Sequence, residues 1–253
     1  MEYYDTVREL GFDYIELPGV LLAGMSPAEV DRTAERIARE GFPCRGLNAA
    51  IPAAVKICGP GWDLDAARRY AKVLCPRVKA VGASAIGVGS PGSRRLPDGY
   101  DRALADRQAE DFLEALYEEA DRWGISLFWE SLNTLEAEYG VHLPQAAQLV
   151  DRLRARGLGR LWLVGDLYHM ALMGEHPADL EACLPLVKHL HICSYTPDGG
   201  RSYLLPEQLP GFRALLEPAL RAGYSGGFSV EADAPGVAAH GADSLRMMKE
   251  LTA

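Results

Sequence analysis

Short apolar runs alternate along this chain with longer stretches in which apolar residues recur every three or four positions. The short runs predict buried strands over 13–17 (DYIEL), 44–49 (CRGLNA), 85–89 (AIGVG), 126–131 (SLFWES), 161–166 (LWLVGD), 188–193 (KHLHIC) and 227–232 (GFSVEA). The longer stretches predict helices over 27–40, 63–74, 106–124, 143–157 and 209–223. Several of these helices end on a glycine with the next strand close behind, as in REGFPCRGLN, RWGISLFW and RAGYSGGFSV. That spacing is a C-cap glycine followed by a short helix-to-strand connection.

Strand and helix alternate seven times, and the strand runs are apolar on both faces, so the pattern predicts parallel βαβ units in an α/β fold. A closed (β/α)8 TIM barrel needs eight strands, one more than the seven read here. The chain opens on what reads as the tail of a helix, YYDTVRELGF. The first strand is therefore either upstream of Met1 or replaced by some other cover over the gap.

The length of 253 residues suits a single barrel domain over 1–253, and an apolar fraction of 48% can fill a sizeable core. A net charge of −9 argues against a nucleic-acid partner, because affinity for phosphate backbones rests on Lys and Arg. No apolar run approaches the length of a transmembrane helix, and the opening MEYYDTVREL is acidic and amphipathic rather than signal-like. The expected location is the cytoplasm. Cys44, Cys58, Cys75, Cys183 and Cys193 form no CxxC pair and read as small buried hydrophobes. Cys193 follows His191 by two residues on one strand, which places it to line a site.

In a parallel α/β barrel the functional side chains gather where strands end. Four successive strands end on a residue of metal-ligand type: Glu130, Asp166, His191 and Glu231, separated by 36, 25 and 40 residues. Each separation is about one strand–helix unit, so the four come to one level around the barrel mouth. Three carboxylates and one imidazole make an oxygen-rich set suited to Mn2+, Mg2+ or Co2+, with Zn2+ also compatible. The plainer reading of any one of them alone is a helix cap or an ion pair.

These residues lie in segments that resemble a known family. ESLNTLE (130–136) is similar to an E-x-L-N-x-x-E motif, DLYHM (166–170) to D-x-x-H-M, and KHLHIC and FSVEAD carry a matching histidine and glutamate. The family is that of the xylose-isomerase-like barrels, which include sugar and sugar-phosphate isomerases and epimerases, and the chain most resembles the ketose 3-epimerases over residues 8–240. GVGSPGSRR (87–95) resembles a Gly-Ser-Pro loop of many relatives. The resemblance implies that Glu130, Asp166, His191 and Glu231 bind one divalent metal ion, with Glu130 and Glu231 also the acid/base pair. It implies that Glu136, His169 and Arg201 contact substrate hydroxyls. One departure stands out: Arg201 follows His191 by ten residues in SYTPDGGRSYLLPE, whereas the family's basic residue follows sooner in a different glycine context.

The chemistry is consistent on its own terms. A proton beside a sugar carbonyl is too weakly acidic to remove unless the developing enediolate is stabilised, which a chelating cation does. Epimerisation then needs a base on one face of the planar intermediate and an acid on the other, and two carboxylates from separate strands supply them. Isomerisation uses the same parts and returns the proton to the neighbouring carbon. The expected activity is therefore a metal-dependent sugar epimerase or isomerase. The alternatives are a catalytically silent sugar-binding or accessory relative, and a dehydratase or lyase on the same metal site. An abasic-site endonuclease is disfavoured, since Asn48 and Gly89 stand where further ligands would be needed.

Secondary assignments complete the reading. Asn133 braces the loop after Glu130, while His189 lies one layer below His191 in a core or supporting role. Glu16 is either an acid behind the site or a substrate contact. Arg94 and Arg95 form either a phosphate-binding turn or an exposed pair, and His142, His176 and His240 read as surface residues. The sugar, its phosphorylation and any homo-oligomer are left open.

Overall fold

In the computed structural model, which describes residues 2–253, seven parallel strands form one curled sheet. They are β1 (Ile15–Pro18), β2 (Cys44–Asn48), β3 (Ala85–Val88), β4 (Ser126–Glu130), β5 (Leu161–Asp166), β6 (Val187–Ile192) and β9 (Gly227–Val230), neighbours in that order. A short antiparallel hairpin, β7 (Ser194–Tyr195) with β8 (Arg201–Ser202), rises from the end of β6. All seven expected strands are present: β5 spans the expected residues, β6 is shifted by one, β1 runs from 15 to 18 rather than 13 to 17, and the other four end one or two residues early. The hairpin was not anticipated, because two-residue strands leave no periodic signal.

Local signals account for the element boundaries. The helix Pro27–Glu40 begins with a capping box, the Ser26 backbone N–H donating to the Glu29 carboxylate at 2.8 Å, and carries Pro27 in its first turn. It stops at Gly41, whose φ of 67° is left-handed, so β2 starts three residues later. Asp63 and Asp101 cap the helices Leu64–Ala80 and Arg102–Arg122 through their side chains. The second of these starts four residues before its expected position. Helices at Gly19–Gly24, Pro177–Cys183 and Val237–Thr252 lie outside the expected set.

The core lies between sheet and helices and fills the sheet's inner face. Ile86, Leu127, Trp129, Leu163 and Ile192 have no exposed surface, as strands covered on both faces require. All five cysteines are free and buried, in accord with their reading as small hydrophobes.

Among the described residues β1 and β9 are the edges of the sheet, and a seam separates them. It is bridged by side chains: Tyr14 OH lies 3.0 Å from Ser229 Oγ, and Glu16 Oε1 lies 3.0 Å from His189 Nε2 on β6. Outside, the helix Tyr4–Glu9 packs on Val237–Thr252. The fold is thus of the TIM-barrel type, with seven strands and a side-chain seam. No helix among the described residues is long and apolar enough to cross a membrane.

Candidate active site

Strand register assembles the site. Asp166 pairs with His191 across β5 and β6, and the N–H of Glu231 donates to the Ile192 carbonyl at 3.0 Å, so three of the four residues lie at one level. Glu130 ends β4 opposite Val164. From these four residues, one ligand atom each falls within 4.8 Å of all the others. The cluster is the one the strand-end spacing predicts.

Each member is held from behind. Arg94 is fully buried, its guanidinium carbon 3.8 Å from the centre of the Trp129 ring, and it donates to the backbone carbonyls of Glu130 (2.9 Å) and Val88. It braces the end of β4 and does not face the mouth, while Arg95 pairs with Glu138 at 2.8 Å. The phosphate-binding reading of this turn is therefore set aside. Opposite Glu130 stands Gly89, where any Cβ would sit 2.2 Å from Glu130 Oε2, so only glycine leaves that carboxylate its place.

Asp166 divides its two oxygens between fold and site. Oδ1 accepts from the N–H groups of Tyr168 (2.8 Å) and His169 (3.3 Å), capping the short helix Leu167–Leu172. Oδ2 is buried and makes no hydrogen bond, its nearest basic neighbours being His169 Nε2 at 3.6 Å and Arg201 Nη1 at 3.8 Å. A buried carboxylate oxygen without a hydrogen bond is costly, and a cation shared with its three neighbours would satisfy it. This atom, in a donor set of three carboxylates and an imidazole, fits a hard or borderline divalent ion.

Arg201, on β8, enters from the side. It donates through Nη1 to Glu231 Oε2 at 2.6 Å, and its Nε lies 3.4 Å from Glu136 Oε1. Its guanidinium stacks on the Tyr168 ring, 4.4 Å from the centroid. Tyr168 OH in turn lies 2.8 Å from Gly199 O and 3.1 Å from Glu136 Oε1, two acceptors for its one proton. Tyr168 was missed by sequence reasoning, although it lies inside DLYHM, because a buried tyrosine next to a helix cap reads as core.

His169 is buried between Asn133 and Arg201. Asn133 Oδ1 accepts from the N–H groups of Leu135 and Glu136, which turns its Nδ2 toward His169 Nδ1 at 2.9 Å. On its other side, His169 Nε2 lies within hydrogen-bonding distance of Arg201 Nη2 at 3.0 Å and 3.6 Å from Asp166 Oδ2.

The electrostatics separate the carboxylates. Burial alone would push Glu130 up, but the His191 imidazolium beside it, with His169 and Arg201, holds it down at about 2. Burial dominates at Asp166 and, against the pull of Arg201 and aided by the charges of Glu130 and Glu231, pushes it up to about 7. Glu231 is also raised, by burial, although Arg201 and His191 oppose it. Burial favours a neutral His191, yet Glu130 and Glu231 hold it well above the usual imidazole range. His169 falls to about 3, chiefly through burial.

The remaining histidines follow expectation. His189 is buried one layer below, 3.0 Å from Ser229 Oγ. His142 is 3.4 Å from Glu175, His176 caps the helix Pro177–Cys183, and His240 rests on Tyr203 at the surface. Cys193 lies 3.8 Å from Arg201 Nη1 and so does border the site.

Comparison with known proteins agrees with this architecture. A Streptomyces coelicolor protein provisionally named hydroxypyruvate isomerase is 30% identical over 232 residues, covering 87% of this chain and 81% of that one. A D-psicose 3-epimerase from Clostridium cellulolyticum H10, solved with D-tagatose, superposes with a TM-score of 0.79 at 16% identity, over 99% of this chain and 93% of the other. The 3-keto-D-glucoside 4-epimerase of E. coli gives a TM-score of 0.72 at 21% identity, over 98% and 93%. At these identities the two solved structures show a shared fold. The profile of the xylose isomerase-like TIM barrel family matches residues 4–251, and the chain belongs to that family.

Proposed function

We propose that this chain is a cytoplasmic, divalent-metal-dependent isomerase that moves a proton on a sugar or sugar phosphate, with epimerisation as its first reading. The observation that carries the proposal is the convergence of Glu130, Asp166, His191 and Glu231 around Asp166 Oδ2, a buried oxygen that makes no hydrogen bond. These four would hold the ion, with Mn2+, Mg2+ or Co2+ the expected metals and Zn2+ compatible. When bound, the ion supplies Lewis-acid stabilisation of the negative charge that develops as a proton leaves the carbon beside a carbonyl.

The chain's own residues supply the proton transfers. Glu130 and Glu231 come from separate strand ends and lie 2.7 and 3.7 Å from His191 Nδ1. One would take the proton from one face of the substrate carbon and the other would return one to the opposite face. Glu136, His169 and Arg201 orient the substrate. Arg201 would donate to a substrate oxygen beside His169, and Glu136 would accept from a hydroxyl.

The same carboxylates serve isomerisation if the proton returns to the neighbouring carbon, and the Streptomyces relative named for that reaction class favours this as the second reading. Incubation in deuterium oxide with a panel of ketoses, hydroxypyruvate and their phosphorylated analogues tests both. Deuterium at the inverted carbon marks an epimerase, and deuterium at the adjacent carbon with carbonyl migration marks an isomerase. No exchange into any member of the panel would remove the proton-transfer reading.

A further inference from the structure

His191 has two ring nitrogens with different neighbours. Nδ1 faces the proposed cation site, 2.7 Å from Glu130 Oε1 and 3.7 Å from Glu231 Oε2. Nε2 faces the opposite way, toward Glu16 Oε2 at 3.4 Å. Glu16 stands on β1 at the sheet's open seam. Its Oε2 also accepts from Asn48 Nδ2 at 2.7 Å, and its Oε1 lies 3.0 Å from His189 Nε2. His189 is tied in turn to Ser229 and Ser229 to Tyr14, each at 3.0 Å. One carboxylate thus links β1, β2 and β6, and through Ser229 reaches β9.

We propose that Glu16 is a positioning residue, which accepts the Nε2–H of His191 and so fixes the tautomer whose Nδ1 lone pair points at the cation shared with Glu130, Asp166 and Glu231. This inference rests on the metal reading given above. A neutral imidazole carries one proton, and the nitrogen that keeps it is decided by what each nitrogen faces. An ionised carboxylate can only accept, so it assigns the proton to the nitrogen it meets. A carboxylate behind a ligating histidine orients the ring and makes the ligating nitrogen more basic.

Glu16, His189 and His191 also come close enough to suggest an ion of their own. The hydrogen bonding argues otherwise. Glu16 Oε2 already accepts a hydrogen bond from Asn48 Nδ2 and His189 Nε2 already bonds Ser229 Oγ, whereas Asp166 Oδ2 in the other cluster makes no hydrogen bond. The seam network is a brace, and the ion goes to the neighbouring cluster.

The test is calorimetric Mn2+ titration of the wild type, Glu16→Ala and Glu16→Gln, joined to long-range 1H–15N NMR of the His191 ring in the diamagnetic Zn2+ form. The expected result is one equivalent in each protein, with Glu16→Ala weaker by about 10- to 100-fold. Glu16→Gln keeps an acceptor oxygen for Nε2–H and should stay within roughly tenfold of wild type. The NMR spectrum should show Nε2 protonated and Nδ1 bound to metal. Equal affinity in Glu16→Ala, or metal on Nε2, overturns the positioning role alone. Two equivalents in wild type with one lost in Glu16→Ala overturns it in favour of a second ion. A wild type that binds no divalent cation removes the metal reading and this proposal together. Should Glu16→Ala not fold, the Glu16→Gln titration and the ring spectrum decide.

Discussion

Arg201 Nη1 donates to Glu231 Oε2 at 2.6 Å, so a side chain proposed to orient substrate shares an oxygen with one proposed to carry the proton. Removing the guanidinium takes away a charge-assisted hydrogen bond of roughly 1.5–3 kcal/mol. Arg201→Ala is expected to lower kcat/KM on the responsive sugar by roughly 10- to 150-fold while one equivalent of Mn2+ still binds. Arg201→Lys should recover little, because an ammonium lacks the planar fork that reaches Glu231, Glu136 and His169 together. Steady-state kinetics beside a metal titration of each variant checks both statements.

Gly89 offers a separation of site from fold. A methyl group there meets the far end of the Glu130 side chain at 2.2 Å, an atom that can swing aside at little cost to folding. Gly89→Ala is accordingly expected to leave the melting temperature within a few degrees of wild type, as substitutions without core damage do, and to weaken Mn2+ binding at least tenfold. A melting curve and a titration on one preparation read both effects. A variant that melts early with unchanged metal affinity would contradict the placement of Glu130.

The pH dependence follows from Asp166. Burial raises its carboxyl from an ordinary value of 3.8 to about 7 in the metal-free protein. Between those values the folded state holds a proton that the unfolded chain has released, so the metal-free protein loses stability from this group as pH rises through that window. An ion held there would require the ionised carboxylate and would displace its proton, and that of His191, which Glu130 and Glu231 hold well above the usual imidazole range. Metal affinity should therefore climb as pH rises through about 7 and keep climbing above it while His191 still holds its proton. The increase in melting temperature on adding Mn2+, followed from pH 5.5 to 8, is expected to grow in that direction.

Two proton carriers leave a distinctive signature when each is disabled in turn. Glu130→Gln and Glu231→Gln are each expected to reduce epimerisation by about 100- to 10,000-fold, the usual scale for loss of a general acid or base. Each variant should still exchange solvent deuterium into the one epimer whose proton faces its intact carboxylate. Isotope wash-in measured separately on the two epimers reads this. Complete loss of exchange on both epimers in either variant would point to a single carboxylate acting on both faces.

Much of this site was legible in the chain because strand-end residues in a parallel barrel share one level. The regular spacing of Glu130, Asp166, His191 and Glu231 transmits that geometry to the sequence. Features set by distant pairing were not legible. Arg94 in GSPGSRR looks like a surface turn residue, yet it is buried on Trp129 and bound to carbonyls of β3 and β4, contacts that exist only after the strands align. Gly89 resembles any strand-end glycine until Glu130 is set beside it. The seam through Glu16, His189, Ser229 and Tyr14 joins residues up to 215 positions apart, and no local period encodes it.

If the four strand-end side chains share one divalent ion, equilibrium dialysis against Mn2+ with metal analysis of the retained protein will find close to one equivalent in the wild type and none in Asp166→Ala at the same free metal concentration. Retention of a full equivalent by Asp166→Ala, or none by the wild type, would contradict it.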